Sequence, residues 1–112
     1  MAAVAEMDRV FRALSDPTRR RVLERLSRGP ASVTELARPF RMALPSFTQH
    51  LGVLEECRLV RSSKAGRVRT YRLAPEPLKA AEGWLGRQRS LWERRLDQLD
   101  RHLARMKKEE NP

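Results

Sequence analysis

A chain of 112 residues is long enough for one compact core and too short for two. Its 24 Lys and Arg against 14 Asp and Glu leave a net charge of +10, which points to a polyanionic partner. The single cysteine, Cys57, excludes an intrachain disulfide and a structural zinc site built on thiolates, and it fits a reducing interior such as the cytoplasm.

Met1 to Val10 carries Glu6 and Asp8 and has no apolar run, so neither a signal peptide nor a membrane anchor is expected there. No stretch approaches the roughly 20 apolar residues of a membrane span, and no membrane partner is expected. In the first segment Val4, Met7, Phe11 and Leu14 recur at helical spacing and stop before Ser15-Asp16-Pro17. Asp16 suits the N-cap of a second helix and Pro17 its first position, where no amide donor is needed. Val22, Leu23 and Leu26 form that helix's apolar stripe, and Gly29-Pro30 ends it.

Ser32-Val33-Thr34-Glu35 is a capping box that starts a short third helix with Leu36, Ala37 and Phe40 on its buried side. Pro39 removes the donor that would reach the Glu35 carbonyl, so the last turn is expected to distort or end early. After Arg41-Met42-Ala43, Pro45 opens a fourth helix with Phe47, Leu51 and Leu54 on one face. A short helix, a tight turn and a second helix over residues 32–56 make a helix-turn-helix.

Leu59 to Ser63 and Val68 to Leu73 are β-compatible runs around Lys64-Ala65-Gly66-Arg67, giving a hairpin, or wing, over residues 59–73. From Pro77 to about Lys108 the pattern is again helical, with Leu78, Leu85, Trp92, Leu99 and Met106 seven apart and Leu96 and Leu103 between them. A helix of roughly 30 residues is about 45 Å long, more than so small a domain covers with its own core, so part of it needs a partner. The charged end at Asn111-Pro112 reads as frayed.

The expected architecture is therefore mostly α with a small β-hairpin. It is a winged helix-turn-helix of five helices with the hairpin between the fourth and fifth, in a single domain over residues 1–112.

Between Cys57 and Leu73 lie Arg58, Arg61, Lys64, Arg67, Arg69 and Arg72 with no acidic residue among them. A hairpin loop needs only polarity for solubility, whereas tracking a phosphate backbone needs such a row. Arg67 and Arg69 are the best placed of these cations, and Lys64 is a further candidate for the DNA backbone; edge protection against aggregation is the competing use of basic strands. Tyr71 is expected to pack in the core.

In the fourth helix Ser46, Thr48 and Gln49 cluster near the N-terminus, the end that enters the major groove in helix-turn-helix proteins. Gln pairs bidentately with adenine, and Ser or Thr serves several base edges. His50 beside Leu51 reads equally as a packed ring or as a donor to the DNA backbone. The partner indicated is double-stranded DNA read by sequence. An architectural nucleic-acid protein and a dimerising adaptor are the alternatives.

Phe11-Arg12-Ala13-Leu14-Ser15-Asp16-Pro17-Thr18-Arg19-Arg20 resembles the opening signature of the ArsR family of bacterial regulators. Pro45-Ser46-Phe47-Thr48-Gln49-His50-Leu51 resembles its recognition helix. Arg58-Leu59-Val60 and Gly66-Arg67-Val68-Arg69-Thr70-Tyr71-Arg72-Leu73 resemble its post-helix turn and wing. The resemblance implies a symmetric homodimer held by the first and last helices, residues 1–14 and 77–108, with Phe11, Leu85, Trp92, Leu96, Leu99 and Leu103 at the interface. It further implies an inverted-repeat operator and repression of a promoter. In two places the chain departs from the family: Arg58 stands where glycine is frequent, and Met42-Ala43 replaces the usual serine cap.

Many such proteins sense metal through a cysteine pair in the third helix, where this chain reads Val33-Thr34-Glu35-Leu36-Ala37-Arg38. Asp100-Arg101-His102 resembles only half of the alternative site on the last helix. No metal and no cofactor are expected, and no catalytic constellation is present. Cys57 reads as a buried small residue, with an oxidation sensor activated by Arg58 as the lesser alternative. Trp84 and Trp92 read as core or interface residues, with a role in lining an effector pocket as theirs.

Overall fold

The computed structural model describes residues 2–110. The expected packing of the Val4 side chain and the frayed end at Asn111-Pro112 lie outside the described residues. Residues up to Ala80 form one compact unit and those from Ala81 onward a second.

The first unit contains α1 (Ala2–Leu14), α2 (Pro17–Leu26), β1 (Ala31–Ser32), α3 (Val33–Ala37), α4 (Leu44–Glu56), β2 (Val60–Ala65), β3 (Val68–Leu73) and the start of α5 (Glu76–Glu110). The helix starts follow from local chemistry. A carboxylate oxygen of Asp16 accepts from the Arg19 amide at 3.1 Å, with Pro17 next to it at the head of α2. The Ser32 hydroxyl accepts from the Glu35 amide at 3.2 Å while Glu35 Oε1 accepts from the Ser32 amide at 3.4 Å, closing the capping box. As Pro39 dictates, α3 stops at Ala37, and the Phe40 amide turns back to the Ala37 carbonyl at 3.0 Å.

The sheet has three antiparallel strands in the order β1-β3-β2, one more than the hairpin expected. Ala31 and Ser32 add to the far edge of β3 opposite Tyr71 and Thr70. The hairpin itself is tighter than expected, because Lys64 and Ala65 continue β2 and leave only Gly66-Arg67 as the loop. Gly66 has φ 63°, the positive value that a two-residue turn demands at its first position.

Phe47, Leu51 and Leu54 of α4 are fully buried with Val10, Val22, Leu36 and Leu59. Truncating a fully buried phenylalanine costs about 3–5 kcal/mol, so Phe47 alone accounts for a large part of a small domain's stability. In α1 the buried positions are Val10 and Ala13; Met7 and Leu14 are half-buried, and Phe11 is 37% exposed. The spacing Met7-Phe11-Leu14 is helical but lies one face away from the stripe that packs.

α4 ends in a Schellman motif. The Leu59 amide donates to the Leu54 carbonyl at 3.0 Å and the Arg58 amide to the Glu55 carbonyl at 3.0 Å. Leu54 and Leu59 are both fully buried, the apolar contact that usually accompanies the motif. Arg58 sits in the left-handed position with φ 61°, where glycine is the unstrained choice.

The second unit is the remainder of α5, which is helical through Gly83 and Gly86 and on to Glu110. Leu85, Leu91, Trp92, Leu96, Leu99, Leu103 and Met106 are exposed there, Trp92 by 63%. Within this unit the heptad-spaced row is therefore an uncovered apolar face.

Candidate nucleic-acid interface

With Phe47, Leu51 and Leu54 facing the core, the 3.6-residue period turns Gln49 to the opposite side of α4, with Ser46 and Thr48 flanking it. All three are exposed. The Thr48 hydroxyl donates to the Pro45 carbonyl at 2.9 Å, which leaves its oxygen to act as an acceptor toward a ligand. The side chains of Ser46 and Gln49 make no hydrogen bond among the described residues and keep their full donor and acceptor capacity. Ala43, the N-cap of α4, is extended at φ −64° and ψ 145° and supplies no side-chain cap, so the first amides of the helix are left to an external acceptor.

His50 faces inward from the same helix, its side chain 24% exposed. Arg19 Nη1 lies 3.2 Å from His50 Nδ1, and Asp16 lies 3.7 Å from the same nitrogen. A guanidinium only donates, so in the neutral ring Nδ1 accepts from Arg19 and Nε2 carries the proton, whereas in the charged ring Nδ1 faces the Asp16 carboxylate instead. Arg19 also donates to the Ala13 carbonyl at 2.9 Å and to the Arg12 carbonyl at 3.0 Å, closing the end of α1. The cluster thus ties α4 to the α1–α2 corner. Burial opposes ionisation of Asp16, but the Arg19 amide and the charges of His50 and Arg19 outweigh it and hold the carboxyl below its ordinary range.

Cross-strand pairing sorts the wing cations. Lys64 faces Arg69 on the side of the sheet that also carries Ser62 and Tyr71, while Arg61 faces Arg72 on the other side. Arg67 occupies the turn. Like charges opposed across a ladder repel one another, and a polyanion relieves that repulsion. Arg69 Nη1 donates to Ser62 Oγ at 2.9 Å, and Ser62 Oγ donates to Glu55 Oε1 at 2.7 Å. Tyr71 is buried as expected; burial raises its phenol, and the nearby Glu55 charge pushes the same way.

Lys64, Arg67 and Arg69 thus gather on the wing and Ser46, Thr48 and Gln49 on α4, all in the first unit. Phe11 lies on α1, and Leu85, Trp92, Leu96, Leu99 and Leu103 lie on the second unit, exposed as a separate group. Sequence reasoning missed Glu55, Arg19 and Asp16 as residues that hold the interface. Arg19 lies inside the opening signature, and Asp16 carries two duties, as cap and as partner of His50.

Cys57 is 2% exposed, and burial pushes its thiol up, which is the environment of an inert packing residue. No cluster of three or more His, Cys, Asp or Glu among the described residues is placed to hold a metal ion. No helix among them is long and apolar enough to cross a membrane.

A helix-turn-helix whose second helix shows a polar outer face, followed directly by a basic two-stranded wing, defines a winged helix-turn-helix DNA-binding protein. Comparison with known proteins carries this to a family. A family model for a helix-turn-helix domain matches residues 14–63. The HTH-type transcriptional regulator Rv2034 of Mycobacterium tuberculosis is 43% identical over 96 residues, covering 86% of this chain and 87% of that protein. The crystal structure of the ArsR family transcriptional regulator RHA00566 matches with a TM-score of 0.76 at 55% identity, covering 80% of this chain and 92% of that one. The homodimeric winged helix-turn-helix domain of Mb0332 from Mycobacterium bovis, a possible ArsR-family regulator, matches with a TM-score of 0.63 at 26% identity, covering 80% of this chain and 85% of that one.

The chain belongs to the ArsR family and is a DNA-binding transcriptional regulator; its relatives are regulators and not enzymes.

Proposed function

We propose that the protein is a cytoplasmic, dimeric repressor in which Ser46, Thr48 and Gln49 read base edges in the major groove. Lys64, Arg67 and Arg69 hold the flanking phosphates, and His50 adds a backbone contact through its protonated Nε2. Two copies pair through Phe11 and the α5 row Leu85, Trp92, Leu96, Leu99 and Leu103, so that an inverted repeat is read once by each α4. Occupying such a site within a promoter blocks it, which is repression. No metal and no cofactor take part in this scheme, and the chain acts as a single domain with dimerising ends.

The observation that carries this reading is the outward face of α4. Neutral hydrogen-bonding side chains stand there, those of Ser46 and Gln49 with no hydrogen-bond partner among the described residues, on the helix that packs against the basic wing. The homodimeric state of the Mb0332 domain and the uncovered α5 face support the pairing.

The test is a cleavage footprint on the DNA upstream of the coding sequence. Two protected half-sites centred about one helical turn apart are expected. Unphased protection along the whole duplex would overturn the sequence-reading dimer in favour of an architectural protein.

A further inference from the structure

Between α2 and α3 lies a cleft of about 390 Å³ that takes no part in the interface above. Its floor is apolar, formed by the buried Val22 and Leu36 and the half-buried Phe40. Its rim carries Arg21, Arg25, Arg28 and Arg38 against two carboxylates, Glu24 and Glu35. Arg25 is 3.6 Å from Glu35 and donates to the Gly29 carbonyl at 3.1 Å. Arg21 lies over the Phe40 ring, 4.6 Å from its centroid. Among the described residues the side chains of Arg28 and Arg38 make no ion pair or hydrogen bond, although the Glu35 carboxyl, lowered first by its hydrogen bonds with Ser32, is lowered further by the charges of Arg25 and then Arg38.

A concave apolar floor with four guanidinium groups against two carboxylates at its mouth, Arg28 and Arg38 outside any ion pair, suits a flat apolar body that carries a carboxylate. The body lies along the Val22–Leu36 floor beside Phe40, whose ring Arg21 already covers, and the carboxylate takes the bidentate fork of an arginine. A DNA duplex laid against the same rim would have no apolar body to place on the floor. Phe40 is also the route outward: its ring centroid is 5.2 Å from that of Phe47, the fully buried anchor of α4.

We propose that this cleft is an effector site for a small aromatic carboxylate, and that its occupancy is felt by α4 through the Phe40–Phe47 contact. The second half rests on α4 being the DNA-reading helix. By reciprocity, an effector that changes DNA affinity has its own affinity changed by the same factor when DNA is bound.

The test is an NMR titration of the full chain with 2-naphthoate, following arginine side-chain and Phe40 ring signals, with acetate and 2-naphthalenemethanol as controls that lack the body or the charge. Saturable shifts are expected at Arg25, Arg28, Arg38 and Phe40, with each control at least about tenfold weaker. An Arg28→Gln, Arg38→Gln double variant, altered only on the rim of the cleft, is expected to lose about tenfold in naphthoate affinity. Unsaturable shifts, or equal shifts at Arg67 and Arg69, would overturn the site.

In a gel shift on the upstream DNA, naphthoate is expected to weaken the wild-type complex and to leave the double variant's complex unchanged. Saturable binding without any effect on DNA affinity would overturn the coupling to α4. A chain that binds naphthoate but no DNA under any condition would instead contradict the DNA-reading role of α4.

Discussion

Ser62 on β2 donates a 2.7 Å hydrogen bond to Oε1 of Glu55, so a side chain at the end of α4 is joined to the strand from which the wing projects. Arg69 donates to the same Ser62 oxygen at 2.9 Å, and the three residues form one chain from helix to wing. Ser62→Ala cuts that chain without changing any charge. DNA affinity is expected to fall roughly fivefold, the worth of about 1 kcal/mol, with the salt dependence unchanged. Arg67→Ala with Arg69→Ala, by contrast, flattens the slope of log affinity against log salt by about 0.9 for each phosphate that is no longer neutralised. Binding titrations from low to high salt separate the two, and an unchanged slope in the arginine variant would exclude the wing from the phosphate backbone.

Arg58 pays a conformational penalty at φ 61° that glycine does not. A left-handed non-glycine residue costs roughly 1–2 kcal/mol, and the extra unfolded-state freedom of glycine takes back about 0.5–1 kcal/mol. Arg58→Gly is therefore expected to raise stability by about 0.5–1 kcal/mol, read as a higher urea midpoint at unchanged m-value. A lower midpoint would mean that the arginine side chain contributes more than its backbone costs.

Asp16 titrates below its ordinary value of 3.8 in the folded protein. A folded-state value under the unfolded one means that its contribution is present in full above about pH 4 and lost as pH falls through the folded value. Asp16→Asn keeps an N-cap of similar quality and removes only the charge. Thermal melts from about pH 5 down to pH 2 are expected to show a shallower acid-side loss for the variant than for wild type. Glu35, also lowered, first by its hydrogen bond with the Ser32 amide, keeps the variant's slope above zero. Parallel curves would show that Asp16 acts as a cap alone.

Much of this architecture was legible in residue order because the decisive signals are local. Asp16-Pro17, the Ser32–Glu35 box and Pro39 each act within one helical turn, and all three set the boundaries seen. β1 was not legible: Ala31-Ser32 is too short to show alternation, and its partner Tyr71 lies far along the chain. In α1 both Phe11 and Val10 belong to apolar sets at helical spacing, and only tertiary packing decides which set turns inward. The base-facing candidates Ser46, Thr48 and Gln49 follow from the period of α4. The ties that hold them, Arg19 to His50 and Glu55 to Ser62, depend on contacts between elements that no spacing rule encodes.

The exposed row on α5 sets the oligomeric prediction. Leu99→Glu places a charge in the middle of that row, and burying an unpaired carboxylate against a second copy is prohibitive. Sedimentation is expected to show a dimer for wild type and a monomer for the variant at micromolar concentration. DNA affinity is expected to drop at least about tenfold, because a monomer grips only one half-site at a time. A variant that still sediments as a dimer would exclude the central part of the row from the interface.

The most direct measurement is a competition gel shift on the upstream DNA at about 150 mM salt with excess random duplex, comparing wild type with Gln49→Ala. The account predicts a discrete wild-type band that survives the competitor. It also predicts that the variant binds that DNA more weakly by about 1–3 kcal/mol, with little change on random duplex. Equal weakening on both DNAs, or a wild-type band that the competitor removes, would contradict sequence reading by α4.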